Sequence, residues 1–165
     1  MTKTQMDSRA FRTALGQFAT GVTVITTVDA SGSRVGMTAN SFSSVSLEPM
    51  LVLWSIARTS KSFDAFMQAR HFAIHVLSAG QKALSAQFAS QCDDRFQGLE
   101  TGTGVGGVPL LDGCSAQFQC ETDIRHEGGD HVIIVGRVVD FGSSTQPPLI
   151  FHAGRYADVE LSVAV

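Results

Sequence analysis

The chain has 165 residues, of which 12 are Lys or Arg and 15 are Asp or Glu, so its formal net charge is −3. Apolar residues make up 44% and charged residues 16%, a composition typical of a globular domain rather than a disordered chain. The scattered basic residues argue against a nucleic-acid surface, because phosphate-backbone binding depends on clustered Lys and Arg. The length fits a single domain over residues 1–165.

The cysteine pattern and the apolar segments indicate a cellular setting. Cys92, Cys114 and Cys120 form an odd set without a CxxC pair, which disfavours a disulfide framework and fits a reducing cytoplasm. The N-terminal segment lacks an apolar signal core, and MLVLWSIA is far shorter than the roughly 20 residues of a membrane span. We therefore expect a soluble cytoplasmic protein that engages neither membrane nor nucleic acid.

The first third of the chain predicts a helix followed by a hairpin. Asp7 can cap a helix whose apolar side chains recur at helical spacing, with Gly21 as the expected stop. VTVITTV and RVGMTA flank the turn sequence DASGS, so residues 22–39 are predicted to form a β-hairpin.

The middle third predicts strands alternating with short helices. NSFSSVSLEP is polar and is predicted to be a loop, whereas MLVLWSI is predicted to be a buried strand. Ser60 is expected to cap a short helix that carries Phe63 and Phe66. HFAIHVL predicts a strand, residues 81–89 predict another helix, and residues 90–109 show no regular element.

The last third predicts a second hairpin and one more strand. SAQFQCETDI alternates apolar and polar residues, HVIIVGRVVDF is β-branched, and HEGGD between them is a turn sequence. PLIFHAGRY predicts a further short strand. Six or so strands with only short helices favour an antiparallel barrel over a parallel sheet wrapped in helices.

Two motif matches are rejected on mechanism. GTGVGG at residues 102–107 fits the dinucleotide-binding pattern, but no strand precedes it and no helix follows, so a flexible loop is the better interpretation. His71 and His75 have a zinc-like spacing, yet on a strand they would lie about 13 Å apart. His126 and His131 flank a glycine turn without further ligands, so we predict no metal site.

Two hydroxyl-rich segments are the candidate binding elements. The segment at residues 36–49 carries Thr38, Asn40, Ser41, Ser43, Ser44 and Ser46. The other contains Ser55, Arg58, Thr59, Ser60, Lys61 and Ser62 at the start of a predicted helix, where backbone N–H groups favour an anion. They indicate either a site for a small anionic ligand or ordinary solvated turns, and the residue types alone favour neither.

Seven sequence motifs occur in order over about residues 8–157: FATGVTVITT, GMTANSFSSVSLEP, LVLWSIARTSKSF, DDRFQGL, GVPLLDGCSAQFQCE, GGDHVIIVGRV and PLIFHAGRY. Together they resemble the short-chain flavin reductases of two-component flavin monooxygenases. The resemblance implies a mainly β fold, an antiparallel Greek-key split barrel with short flanking helices. It also implies an NAD(P)H:flavin oxidoreductase that reduces FMN or FAD by direct hydride transfer and supplies free reduced flavin to a separate monooxygenase.

The resemblance also implies site residues. The flavin-contacting positions that match are Thr38, Asn40, Ser41, Ser43, Ser44, Ser55, Ile56 and Ser60. Phe88, Arg95 and Phe96 match a region that borders the flavin, although core packing is an equally open role for the two phenylalanines. His131 of the Gly-Asp-His motif and Tyr156 match positions beside the nicotinamide. No general acid, general base or metal is implied, since the cofactors carry the reactivity.

The resemblance further implies FMN or FAD, with NADH favoured over NADPH as co-substrate, and a homodimer with flavin near the subunit interface. Glu48-Pro49-Met50 departs from the Pro-Pro common in relatives, and Trp54 replaces a smaller aliphatic residue. One alternative is a non-catalytic flavin- or heme-binding split-barrel protein, against which the GDH and GRY positions argue. Another is a pyridoxamine-phosphate-type oxidase, which should carry more basic phosphate ligands.

Overall fold

The computed structural model describes residues 7–159. Residues 7–159 contain three short α-helices: α1 is Ser8–Leu15, α2 is Phe63–Gln68 and α3 is Lys82–Ala89. The first six strands are β1 Thr20–Gly21, β2 Thr23–Val28, β3 Arg34–Ala39, β4 Ser43–Leu47, β5 Met50–Ala57 and β6 His71–Val76. The remaining strands are β7 Gly102–Thr103, β8 Pro109–Leu110, β9 Ala116–Gly128, β10 His131–Ser143, β11 Ile150–His152 and β12 Arg155–Ala157.

Seven strands form one antiparallel sheet in the order β3-β2-β6-β9-β10-β5-β4. The hairpins β2–β3 and β9–β10 are adjacent pairs in this order, and β6 joins them by pairing with β2 on one side and β9 on the other. A small sheet, β1-β11-β12, brings the C-terminal strands beside the start of the chain. The predicted mainly β, antiparallel architecture with short flanking helices is confirmed.

The barrel interior is an aromatic and aliphatic core. Alternation along β5 turns Val52, Trp54 and Ile56 inward, and the indole of Trp54 packs edge-on against Phe66 of α2, with ring centroids 4.8 Å apart. Fully burying a large apolar side chain stabilises the fold by roughly 1.5–3 kcal/mol. Trp54, which stands where a smaller aliphatic residue is common in relatives, is therefore accommodated in the core.

A second apolar cluster lies under α3. Phe88 of α3 and Phe96 pack edge-to-face with centroids 4.9 Å apart, together with Val24, Leu77 and Leu149. A Cβ at Gly36 of β3 would lie 2.5 Å from the Phe88 ring, so only glycine allows this close approach of strand and helix. The cluster thereby fixes α3 against β3.

The structure corrects several predicted boundaries. Helix α1 ends at Leu15 with Gly16 as its C-cap, and Gly21 instead lies in β1. The residue preceding α2 is Ser62, while the Ser60 hydroxyl accepts a hydrogen bond from the Ser62 N–H at 3.2 Å. These corrections move caps by a few residues and leave the elements in place.

Two predicted irregular segments contain strands. Ser43–Leu47, predicted as a loop, is the edge strand β4, whose exposed hydroxyls are compatible with pairing on one side only. Residues 90–109 include the two-residue strand β7, and PLIFHAGRY forms the hairpin β11–β12 rather than one strand.

Within residues 7–159, no helix has the length and apolar character needed to cross a membrane.

Candidate functional site

A groove of three adjoining cavities runs beside β3, mostly between that strand and α3. The apolar cavity, of 210 Å³, is lined by Val22, Thr38, Ala39, Asn40, Ser85, Ala89, Phe151 and Tyr156. The central cavity, of 330 Å³, shares Thr38 and Ala89 with it and adds Met37, Ala57, Thr59, Ser60, Lys61, Phe88, Gln91 and Arg95. The basic cavity, of 200 Å³, shares Lys61 and Arg95 with the central one and adds Arg34, Val35, Gly36, Ser62, Cys92, Asp93 and Phe96.

The apolar cavity is held together through Ser85 of α3. The Thr38 hydroxyl donates to the Ser85 carbonyl oxygen at 2.7 Å, and the Tyr156 hydroxyl donates to the Ser85 hydroxyl at 2.8 Å. Ser85 is buried, and it links the strand, the helix and the C-terminal hairpin. Sequence reasoning missed Ser85, because a serine inside a helix carries no signal of its tertiary partners.

Ser41 and Ser55 form a structural pair. The Ser41 hydroxyl donates to the Ser55 carbonyl oxygen at 3.0 Å and accepts from the Ser55 N–H at 2.9 Å, which fixes the segment before β4 to β5. The Ser43 hydroxyl bonds the Ser44 carbonyl oxygen at 3.2 Å on the exposed strand β4. None of these four serines lines the three cavities, so their contacts with a flavin remain predictions.

The central cavity is bordered by Ser60 and by the guanidinium of Arg95. Arg95 donates to the Gly36 carbonyl oxygen at 2.8 Å and to the Ser90 carbonyl oxygen at 3.0 Å, so it ties β3 to the segment after α3. A further contact, 3.4 Å long, reaches the Ser62 hydroxyl. Arg95 is thus held firmly where the central and basic cavities meet.

Three of the predicted flavin neighbours lie in the core. Ile56 and Phe88 are fully buried, and Phe96 is 2% exposed. The Ile56 side chain points into the barrel, so only its backbone can border a ligand. Phe88 and Phe96 pack on each other, and they also line the central and basic cavities respectively, so bordering the flavin stays a prediction beside the core-packing role.

The Gly-Asp-His motif forms the turn of the β9–β10 hairpin. His131 begins β10 and pairs with Ala57 of β5, a residue that lines the central cavity. Arg58 fixes this turn, since its backbone N–H donates to the Asp130 carbonyl oxygen at 2.9 Å and its guanidinium contacts the Gly129 carbonyl oxygen. The same guanidinium pairs with Glu127.

His131 is half-exposed at the start of β10. Its Nδ1 lies 2.7 Å from Oδ1 of Asp130, and this hydrogen bond, followed by the imidazole charge, lowers the pKa of the Asp130 carboxyl. Tyr156 lines the apolar cavity, whereas His131 lines none of the three cavities and reaches the central one only through its pairing with Ala57. The single chain therefore does not bring the two predicted nicotinamide neighbours together.

The histidine pair with zinc-like spacing lies on one strand. His71 and His75 both lie on β6, four residues apart along one strand. Among residues 7–159, no group of three His, Cys, Asp or Glu side chains has the geometry to hold a metal ion.

Comparisons with known proteins identify the family. A family model described as "Flavin reductase like domain" matches residues 15–160. An FMN reductase (NADH) of Agrobacterium fabrum is 48% identical over 91% of this chain and 85% of its own length. The reductase component of a flavin-dependent trigonelline monooxygenase from Acinetobacter baylyi is 46% identical over 90% of this chain, which spans 48% of that relative.

A solved structure shares the fold. The NADH:FAD oxidoreductase SgcE6 of Streptomyces globisporus, in complex with NAD and FAD fragments, superposes with a TM-score of 0.88 at 35% identity, covering 93% of each chain. The fold and the groove define a split-barrel domain of the flavin-binding class. The chain belongs to the flavin reductase family, as its sequence motifs predicted.

Proposed function

We propose that the chain is an NADH-dependent flavin reductase that reduces FMN or FAD and releases the reduced flavin to a separate monooxygenase. The names of its relatives include FMN reductase (NADH), NADH:FAD oxidoreductase and monooxygenase reductase components, in agreement with the sequence-based expectation. The observation that carries the proposal is the groove, which is apolar at one end and cationic at the other. That gradient matches a flavin nucleotide, whose ring is largely apolar and whose phosphate is anionic.

The residues present fit a flavin in one orientation. The ring would lie in the apolar cavity beside Thr38 and Tyr156, where the linked Ser85 holds both side chains in place. The phosphate would lie near Ser60, Lys61 and Arg95, because a hydroxyl and two cations compensate its charge. Ser41, Ser43, Ser44 and Ser55 are proposed to act from the β4–β5 side, by shaping the segment after β3.

Flavin and nicotinamide together supply the hydride transfer, so the protein is required mainly to position them. His131 is proposed to orient the nicotinamide nucleotide with its imidazole N–H, held by Asp130 and by the Arg58 contacts of the turn. Tyr156 is proposed to border the same reaction site from the C-terminal hairpin. No side chain is assigned a general acid or base role.

We propose that the working form is a homodimer. Phe11, Leu15 and Phe18 near α1 are exposed by 58–80%, and Phe141 of β10 is exposed by 61% in the single chain. Phe118 lies between Phe42 and Phe141, with ring centroids 5.6 and 6.5 Å away, so the exposed Phe141 belongs to a row of three aromatic rings. Such surface favours a closed two-fold pair. Reduced flavin would reach the oxygenase by diffusion in the cytoplasm.

The proposal is tested with purified protein, NADH and added FMN or FAD in air. We expect NADH consumption that requires added free flavin and saturates with its concentration. NADPH in a parallel series establishes the nucleotide preference, which we expect to favour NADH. Flavin binding without nucleotide oxidation would contradict the proposal and favour a non-catalytic flavin-binding protein.

A further inference from the structure

We propose that the basic cavity binds a second phosphoryl group beyond the flavin 5′-phosphate, so that FAD binds better than FMN. This inference rests on the proposed function, because it assumes that a flavin occupies the groove. It concerns Arg34, Lys61 and Arg95, the three cations of that cavity.

The groove contains more cationic side chains than the two that border a phosphate in the central cavity. Lys61 and Arg95 border both cavities, whereas Arg34 borders only the basic cavity. Among residues 7–159, none of the three has a carboxylate within salt-bridge distance, so their charges are available to a ligand. Asp93 is the one acidic lining residue of this cavity, and it leaves an excess of positive charge.

Arg34 is held in place by packing. Its guanidinium carbon lies 4.9 Å from the centroid of the Phe96 ring, a cation–π contact with a ring that is itself buried against Phe88. Arg34 begins β3, and Gly36 of the same strand accepts the hydrogen bond from Arg95. Both guanidinium groups of the cavity are therefore fixed relative to β3, Arg34 as its first residue and Arg95 through the hydrogen bond to Gly36.

Negative charge disfavours the other direction in which an anionic group of the ligand could extend from the central cavity. A neighbouring cavity shares Lys61 with the central cavity but is lined by Asp29 and Asp64. An anionic group extending past Lys61 would meet two carboxylates there, whereas it meets the additional cation Arg34 in the basic cavity. The polyphosphate of a dinucleotide is therefore directed toward Arg34.

The kinetic test compares FAD with FMN in Arg34→Gln. We expect KM for FAD to rise about twofold to fivefold, as for loss of one exposed charge contact, with KM for FMN unchanged. Arg34→Lys should recover most of the FAD affinity, and the matched control Arg70→Gln, an exposed arginine outside the groove, should leave both values unchanged. Equal changes for the two flavins in Arg34→Gln would overturn the inference while leaving the reductase function intact.

The nicotinamide nucleotide is the other source of an extra phosphate, and a parallel series distinguishes it. If Arg34→Gln changes the NADPH to NADH preference and leaves the FAD to FMN ratio unaltered, the cavity serves the nucleotide 2′-phosphate and the inference is wrong. If no flavin is reduced by the unmodified protein, it is the proposed function that fails.

A readout without turnover uses Cys92, an exposed thiol that lines the basic cavity. Burial raises the pKa of Cys114 to about 11 and of Cys120 to about 12, so iodoacetamide should alkylate Cys92 first. We expect oxidised FAD to slow Cys92 alkylation several-fold and FMN at equal saturation to have little effect. Equal protection by both flavins would overturn the inference, and Arg34→Gln should weaken the protection by FAD.

Discussion

At the scale of single residues, several side chains of the site both line the groove and hold neighbouring elements together. Thr38 and Tyr156 line the groove and also bond Ser85, while Arg95 borders two cavities and also holds β3. Resemblance to the family singled out Thr38, Arg95 and Tyr156, because its motifs surround them. Ser85 carried no such signal. Ile56 could have been assigned to the core from strand alternation with Val52 and Trp54 alone.

His131 should matter for the nucleotide more than for the flavin. We expect His131→Ala to raise KM for NADH or to lower kcat by about tenfold, as for loss of one hydrogen bond to a charged group, with KM for flavin nearly unchanged. The matched control is His126→Ala, an exposed histidine on the other strand of the same hairpin. Unchanged NADH kinetics in His131→Ala would remove this residue from the site.

His75 should make folding stability depend on pH. Its ring is fully buried, with Nδ1 3.0 Å from the Val24 carbonyl oxygen, and desolvation lowers its pKa from 6.5 to about 4. Between these values the unfolded chain binds a proton that the folded chain does not. The stability contribution is therefore complete above pH 6.5 and is lost as pH falls toward 4, by at most about 3 kcal/mol.

Denaturant unfolding between neutral pH and about pH 5 measures this dependence. In His75→Gln the slope of stability against pH should become shallower, whereas His152→Gln, an exposed control, should retain it. An equal slope in His75→Gln and the unmodified protein would contradict the assignment.

At the scale of elements, the sequence periodicity correctly predicted the strands and helices that bury an apolar face. The β2–β3 and β9–β10 hairpins, β5, β6 and α3 were all predicted, because each combines an apolar pattern with turn or cap residues. Strand β4 was missed because an edge strand with both faces exposed keeps serines that sequence patterns assign to loops. The end of α1 was misplaced because both Gly16 and Gly21 follow the apolar pattern as possible stops.

The long hairpin crosses the core where glycine is required. A Cβ at Gly136 of β10 would lie 2.4 Å from the Phe72 ring and 3.0 Å from the Cys120 Cβ, and the strand register shifts at this point. We expect Gly136→Ala to lower the free energy of unfolding by about 1–3 kcal/mol through overpacking. Thermal or denaturant unfolding measures the loss.

Gly142→Ala is the matched control on the same strand. A Cβ there has no neighbouring atom within 4 Å among the described residues, so the substitution should change stability by no more than about 0.5 kcal/mol. If both alanine variants are equally stable, the close contact at Gly136 does not limit packing.

At the scale of the whole molecule, the groove depends on contacts between distant segments. Arg34, Lys61 and Arg95 come from three separate parts of the chain, and no local pattern predicts that they share one cavity. The antiparallel barrel was predictable from strand count and short connections. The meeting of β3, the start of α2 and the segment after α3 follows only from the packing of both core clusters, since Phe66 of α2 lies in the first and Phe88 and Phe96 lie in the second.

The apolar surface predicts the oligomeric state. We expect the protein to sediment as a dimer at micromolar concentration, and Phe18→Ser or Phe141→Ser, which remove exposed apolar surface, to shift the population toward monomer. Arg70→Gln serves as a surface control that should remain dimeric. Sedimentation of the unmodified protein as monomer alone would contradict the proposed homodimer.

Anaerobic turnover measures whether the reduced flavin is released as a product. With NADH and oxidised flavin both in large excess over protein, we expect many equivalents of flavin per protein chain to lose their oxidised-flavin absorbance. Reduction that stops at one equivalent would show that the flavin is retained, and binding without any reduction would show that the chain is not a reductase.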